Sequence, residues 1–171
     1  LCRKIRNLDF SIPRFQHENL FWNYRMGGMQ AALGRSQINN LDKTISLKKK
    51  QGNIYQNLLN ENNHLVQLPL KEFKGSQNHY WVFGIVLKEN CIRDRLIEIL
   101  KEKGIETRPF FWPLHLQSAL TDEMKNIKYN LPVSQNLGDN GLYLPLGKHV
   151  STQKQKFISK TLIDTILELK N

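Results

Sequence analysis

Cysteine is the first thing this chain has little of. Cys2 and Cys91 are its only two, far apart and without metal-ligand spacing, and they read as buried or surface thiols in a reducing compartment. No apolar run approaches the roughly 20 residues that span a bilayer, and no signal-peptide pattern opens the chain, so no membrane role and a cytoplasmic location are expected. Internal repeats, low-complexity tracts and convincing linkers are missing too. So are the short catalytic signatures: no phosphate-binding Gly-rich loop with its lysine, no dinucleotide fingerprint, no metalloprotease helix and no Gly-x-Ser-x-Gly elbow. Glu18, Asp42, Asp94 and Glu98 have no partner acid suggested by spacing. His17 has no second histidine or acid at helical ligand spacing, so it reads as a surface histidine and no metal site is expected.

What is present describes a globular chain. With 171 residues, 40% of them hydrophobic and 23% charged, it is one domain's worth of sequence with ample material for a core. Twenty-five basic residues against 15 acidic ones leave a net charge of +10, which attracts anions of some kind. The lysines are dispersed, however: Lys48-Lys49-Lys50, Lys101 and Lys103, Lys125 and Lys128, then Lys154, Lys156 and Lys160. Most fall between the apolar positions of expected helices, as on a solvated face, and no nucleic-acid signature accompanies them. An anionic substrate or a missing acidic half explains the charge better than DNA or RNA. Leu1 to Arg6 reads like a helix already under way, so a C-terminal piece of a longer protein is expected.

Taken in order, residues 1–22 show little periodicity, with Pro13 and a mixed polar run leading into Phe21-Trp22. From Gly27 to about Asn60 the pattern is helical: Met29, Leu33, Ile38, Leu41, Ile45, Ile54 and Leu58 recur at steps of roughly three and four. Gly27 or Gly28 would cap this helix, and Gly52 is where it would bend. Ala31, Ala32 and Gly34 allow another backbone close, in a core or at a subunit contact. His79 to Leu87 is the clearest strand, apolar on both faces and hence central to its sheet. Ile92 to Lys103 is an amphipathic helix closed by Gly104. Pro132 to Leu137 fits a short helix with proline in its first turn, and Leu142 to Leu146 a short strand. Ser151 caps a last helix with Phe157, Ile158, Leu162, Ile166 and Leu169 as its buried stripe. The fold class expected is α+β: a long helix, a small sheet, and two or three helices packed on it.

Two stretches invite chemistry. Asn23-Tyr24-Arg25-Met26 sets an amide, a phenol and a guanidinium just ahead of a helix start, an address that suits a phosphate. Arg108-Pro109-Phe110-Phe111-Trp112-Pro113-Leu114-His115 is framed by prolines, with aromatics beside a cation and a histidine. Periodicity and spacing by themselves go no further than an anion-friendly helix start and an aromatic loop.

The ordered set of motifs goes further. Arg6-Asn7-Leu8, Phe15 through His17 to Trp22-Asn23-Tyr24-Arg25-Met26, Gln30-Ala31-Ala32-Leu33-Gly34 and Gln37-Ile38 form its first half. Tyr55, Tyr80 to Leu87, Arg93-Asp94, Gly104-Ile105, Thr107 to Phe111, Pro113-Leu114-His115 and Gly141 to Pro145 form the rest. In this order they resemble the DegT/DnrJ/StrS-type sugar aminotransferases, with wording that leans toward the perosamine-synthase-like branch, which aminates a GDP-linked 4-keto-6-deoxy sugar. The resemblance implies the small C-terminal domain of an aspartate-aminotransferase-like, fold type I enzyme, with residues 1–22 ending the cofactor-binding domain and 23–171 forming the C-terminal one. It implies pyridoxal 5′-phosphate (PLP) as cofactor, a nucleotide-linked keto sugar and an amino-acid donor, usually glutamate, as substrates, and a homodimer with shared active sites.

For single positions the resemblance implies that Asn23 reaches the cofactor phosphate of the neighbouring subunit and that Arg25 lies at the same cleft. Arg108, Phe111, Trp112 and His115 would border the sugar nucleotide. The Schiff-base lysine of the family lies upstream, in a segment nothing here matches, so no catalytic residue is assigned. Gly27-Gly28 departs from the family's polar capping pair, and Gly138-Asp139 stands where the family keeps a helix running, so a shorter helix is expected there. Two rivals remain open: a dehydratase of the same family, with histidine in place of the anchoring lysine, and a non-catalytic domain that binds an acidic partner.

Overall fold

In this computed structural model the described residues are 1–9, 16–17, 19–89, 91–119 and 130–170, and they form two compact units, Leu1–Lys43 and Thr44–Asn171. Pro13, Phe15, Glu18, Lys125 and Lys128, named above, lie outside the described residues. The boundary by compactness lies C-terminal to the division at residue 22 expected from the resemblance.

The larger unit is built on an antiparallel sheet. β1 (Val66–Gln67), β4 (Phe83–Leu87), β6 (Gly141–Leu144) and β5 (Arg108–Pro109) lie side by side in that order. β4 is interior, as expected, but shorter. The strand expected from His79 begins at Phe83 because Asn78 accepts the Tyr80 N–H on its Oδ1 (2.7 Å) and Tyr80 turns with φ at +51°. An asparagine that bonds its own backbone two residues on makes a turn and breaks an extended run. β2 (Glu72–Phe73) and β3 (Ser76–Gln77) form a separate hairpin, joined by Lys74 and Gly75, both at positive φ, as a two-residue loop between right-twisted strands requires.

Register decides which face is buried. Phe83 pairs with Leu144 and Ile85 with Leu142, so these four, with Leu87, point to one side. Helices α3 (Leu41–Leu59), α4 (Arg93–Glu102) and α6 (Thr152–Lys170) cover that side with Tyr55, Leu59, Leu96, Leu100, Ile158, Leu162 and Ile166. Each such aliphatic side chain contributes about 1.5–3 kcal/mol by leaving water. Gly104, at φ +77°, ends α4, and the Ser151 hydroxyl accepts the Lys154 N–H at 3.3 Å at the start of α6. Phe157 does not belong to the buried stripe as expected. The stripe runs through Gln155, Ile158, Ser159, Leu162 and Ile166, which turns Phe157 outward with more than half its surface exposed.

The long helix expected from Gly27 to Asn60 is two helices, α2 (Gly28–Ile38) and α3, parted at Asn39-Asn40 rather than bent at Gly52. Asparagine favours turns over helix interiors, which places the break there. Gly52 instead continues α3 and makes room for a ring: a Cβ there would lie 2.2 Å from the buried Tyr80 side chain. One turn earlier, Lys48 faces outward. Next to Gly52, the Gln51 amide works as a third strand might: Nε2 donates to the carbonyls of Gly147 (2.8 Å) and Val150 (2.7 Å), and Oε1 accepts the Gly147 N–H (3.1 Å). Tyr55 OH donates to the Pro145 carbonyl at 3.0 Å. These four bonds hold the 145–150 loop to α3.

The other face of the sheet carries α5 (Pro132–Asn140) and the Pro-framed loop. α5 is longer than expected and runs through Gly138-Asp139. The Arg93 guanidinium donates from Nη1 to the Gly138 carbonyl at 2.8 Å, a cation on the last turn where the helix needs one.

In the smaller unit, α1 (Cys2–Arg6) leads to an antiparallel bridge between Asn7 and Asn23, with the Tyr24 N–H bonded to the Arg6 carbonyl at 3.1 Å. Asp9 is buried beside Asn19 Nδ2 (2.7 Å) and Lys4 Nζ (3.2 Å), which hold the chain before that bridge. α2 has no buried residue. Met29, Leu33, Ile38 and Leu41, expected on a buried stripe, are exposed, because nothing described in this unit packs on them.

Two outcomes follow for stability. Gly52→Ala must displace the Tyr80 ring, an overpacking change that lowers stability by about 1–3 kcal/mol and shows as a lower midpoint in urea. The hydrogen bond from Asn19, with Lys4, holds the Asp9 carboxyl below its ordinary value of 3.8. Its contribution is therefore complete above that value and lost as pH falls through the lower folded one. Side-chain amide resonances of Asn19 will stay fixed from roughly pH 6 to 4 and shift below, and Asp9→Asn will remove the transition.

Candidate functional site

Asn23 sits in an exposed, extended stretch from Leu20 to Met26. Its Oδ1 is turned toward its neighbour, accepting the Arg25 N–H at 3.0 Å and Arg25 Nε at 3.1 Å. The two side chains are therefore one locked pair. Asn23 Nδ2 and the terminal nitrogens of Arg25 make no bond among the described residues, so donors and no acceptors are presented outward. Gly27 caps α2 two residues on, its N–H held by Gln30 Oε1 at 2.9 Å, and the first turn carries no acid. A phosphate or carboxylate is what such a group of donors fits.

The second predicted stretch lies in the larger unit, and its anchor is a residue sequence reasoning passed over. The Phe110 ring lies against Gly84 of β4 and Gly141 of β6, where a Cβ would come within 2.6 Å and 2.4 Å of ring carbons. It stacks on Tyr143 at 4.8 Å between centroids, while Phe111 meets Tyr143 edge-on at 6.2 Å. Burial raises the Tyr143 hydroxyl pKa, and a backbone bond at Phe111 opposes it. Pro113 packs where a Gly138 Cβ would stand, 2.6 Å from its ring. Trp112 Nε1 donates to the Leu116 carbonyl at 3.0 Å, closing the turn that contains His115.

Four of the expected residues thus share one anchored loop but not one surface. Arg108 lines a groove of about 790 Å³, together with Lys48, Trp81, His149, Lys154 and Phe157. Phe111 and Trp112 are exposed outside that groove, and His115 is half-buried on the helical turn Leu114–Leu116. The sequence did hold a signal for the anchor: glycine inside a strand of β-formers, at Gly84, marks close approach by another group. For Lys48, His149 and Lys154 there was none, since each reads as a solvated helix or loop charge. Among the described residues no group of three or more histidines, cysteines or acids could hold a metal, and no helix is long and apolar enough to cross a membrane.

Comparison with known proteins identifies the family. The family model described as the DegT/DnrJ/EryC1/StrS aminotransferase family matches residues 1–163. The GDP-perosamine synthase of Escherichia coli O157:H7 is 33% identical over 163 residues, 94% of this chain and 42% of that protein. The Vibrio cholerae GDP-perosamine synthase is 33% identical over 150 residues, 84% of this chain and 39% of that protein. The chain therefore spans less than half the length of these curated relatives. Its fold matches that of a DegT DnrJ EryC1 StrS aminotransferase from Brucella abortus, with a TM-score of 0.79 at 22% identity over 95% of this chain and 42% of that one. It also matches the PLP-form of a sugar aminotransferase from Streptococcus pneumoniae, with a TM-score of 0.80 at 16% identity over 98% and 43%. The chain belongs to the DegT/DnrJ/EryC1/StrS aminotransferase family.

Proposed function

We propose that this chain is the C-terminal portion of a PLP-dependent aminotransferase that moves an amino group from an amino acid, glutamate by preference, to a nucleotide-linked keto sugar. The observation that carries the reading is the colinear match over residues 1–163, with named GDP-perosamine synthases among the relatives. The residues present suit the cofactor: the Asn23–Arg25 pair offers several donors and no acceptor, next to a helix start without acids. When bound, the cofactor supplies an electron sink for the carbon that loses or gains the amine. What this chain adds is binding and orientation. Asn23 and Arg25 grip the phosphate of the cofactor held by the other subunit of a homodimer, the guanidinium having a fork that suits two oxygens at once. Arg108, Phe111, Trp112 and His115 border the sugar nucleotide, and the lysine that anchors the cofactor lies outside this sequence.

A homodimer also accounts for the uncovered side chains of the smaller unit. Trp22, Met26, Met29, Leu33 and Ile38 each expose two thirds or more of their surface, more apolar area than a lone folded unit keeps in water. Residues 1–22 then end the cofactor-binding domain and 23–171 form the C-terminal one, in a cytoplasmic enzyme.

Two measurements test the reading. The 171-residue chain, treated with PLP and borohydride, leaves no stoichiometric reduced adduct; a one-to-one adduct on a lysine of this chain overturns it. In the full-length enzyme, Asn23→Ala raises the apparent Kd of the cofactor about tenfold, or about 1.4 kcal/mol, by absorbance titration, with the fold intact by circular dichroism. An unchanged Kd removes Asn23 from the phosphate site.

A further inference from the structure

A guanidinium at the start of a helix is at the wrong end of that helix. Arg93 is the first residue of α4, where the helix end is already positive and an acid is preferred. Its side chain is nonetheless only 11% exposed. Nε donates to the carboxylate of Asp94, which itself stands in water. Nη1 reaches 45 residues along the chain to the Gly138 carbonyl at 2.8 Å and lies 3.5 Å from the Gly141 carbonyl. Both carbonyls belong to the C-terminal end of α5, where helix carbonyls lack partners and a cation is favourable. The same two glycines are the seats of the Pro-framed loop. Pro113 packs on Gly138, Phe110 packs on Gly141, and the Gly141 carbonyl also accepts the Phe110 N–H at 3.0 Å. One planar group therefore meets the backbone at both seats. Its placement serves the end of α5 and the loop that rests there, not α4.

We propose that Arg93 is a positioning residue: by fixing the Gly138–Gly141 turn it fixes where the loop holds Phe111, Trp112 and His115, and so it sets substrate affinity without touching substrate. β5 ends at Pro109, so the place of these three side chains depends on what Phe110 and Pro113 rest on. Only arginine fits the task in full. Its separate nitrogens serve the Asp94 carboxylate and the helix end at once, whereas a lysine ammonium is a single point on a flexible stem. That this loop borders the keto sugar nucleotide rests on the functional reading above; that Arg93 places the loop does not.

The test compares the full-length enzyme with its Arg93→Met, Arg93→Lys and Arg95→Met variants, the last removing an exposed cation of the same helix that pairs with Glu98. Hydrogen exchange followed by mass spectrometry reads the placement of the loop. Arg93→Met speeds exchange about tenfold at residues 110–117 and 136–141 and leaves β4 and α6 at the wild-type rate. Arg93→Lys gives a smaller rise at the same places, and Arg95→Met gives none. Steady-state kinetics read the consequence. KM for the keto sugar nucleotide rises about tenfold in Arg93→Met and about threefold in Arg93→Lys, while kcat, KM for the amino donor and the cofactor Kd stay nearly constant. Exchange that rises evenly over the larger unit, or nowhere, overturns the proposal, and so does a loosened loop with unchanged KM. Should Arg93→Met not fold, Arg93→Lys carries both readings alone. A full-length protein with no transaminase activity refutes the functional reading, and the exchange pattern then decides the role of Arg93 by itself.

Discussion

A phenylalanine ring resting on two glycines is the contact from which the Pro-framed edge of the larger unit is built. β4 and β6 are neighbouring strands, and each presents a glycine to the same side of the sheet, Gly84 and Gly141. The missing side chains leave a shallow floor, and Phe110 fills it while stacking on Tyr143. Everything after it in the loop inherits that position. Pro113 is seated on Gly138, which the C-terminal turn of α5 supplies, and Arg93 of α4 holds that turn by its carbonyl. Arg108, just before Phe110, is in β5 and paired with β6, so it reaches the groove from a fixed backbone. A loop with four aromatic or imidazole side chains is kept in one conformation by atoms that are absent.

The sheet and its covering helices were legible because they are periodic. Phe83, Ile85 and Leu87 alternate, Leu96 and Leu100 are one turn apart, and Leu162 and Ile166 repeat the pattern; such spacings have one folded solution when a core is available. What failed to read correctly was local. Asn78 overrides the hydrophobic pattern around it through a short-range hydrogen bond and cuts a strand, and Asn39-Asn40, residues that favour turns, part a helix. Gly52 and Gly138 look like breaks in sequence and act as clearances in space, for Tyr80 and for Pro113. A glycine inside a helix pattern carries both meanings, and only the packing partner, far away in sequence, tells them apart.

The smaller unit shows the limit of reading periodicity as burial. Met29 and Leu33 stand one turn apart in α2, and Met29, Leu33 and Ile38 nevertheless face water. Periodicity reports that one face is meant to be covered and is silent about whether the same chain covers it. The locked Asn23–Arg25 pair was visible in the sequence as an address but not as a geometry. That the amide oxygen would be spent on Arg25, turning the pair into donors only, follows from a two-residue hydrogen bond no pattern encodes.

Charge is where the two units can be understood by one argument without reference to how they meet. A net charge of +10 spread over surface lysines would by itself signify little. With 25 basic residues against 15 acidic ones, cations outnumber the acids that could pair with them, and the guanidinium of Arg25 and the ammonium groups of Lys48 and Lys154 are among those without an acid beside them. Others are paired, as with Lys4 and Asp9, Arg95 and Glu98, or Lys170 and Glu89. The Lys48 ammonium is half-buried on the Trp81 carbonyl, and desolvation there holds its pKa below the ordinary lysine value, because one carbonyl does not replace the water it loses.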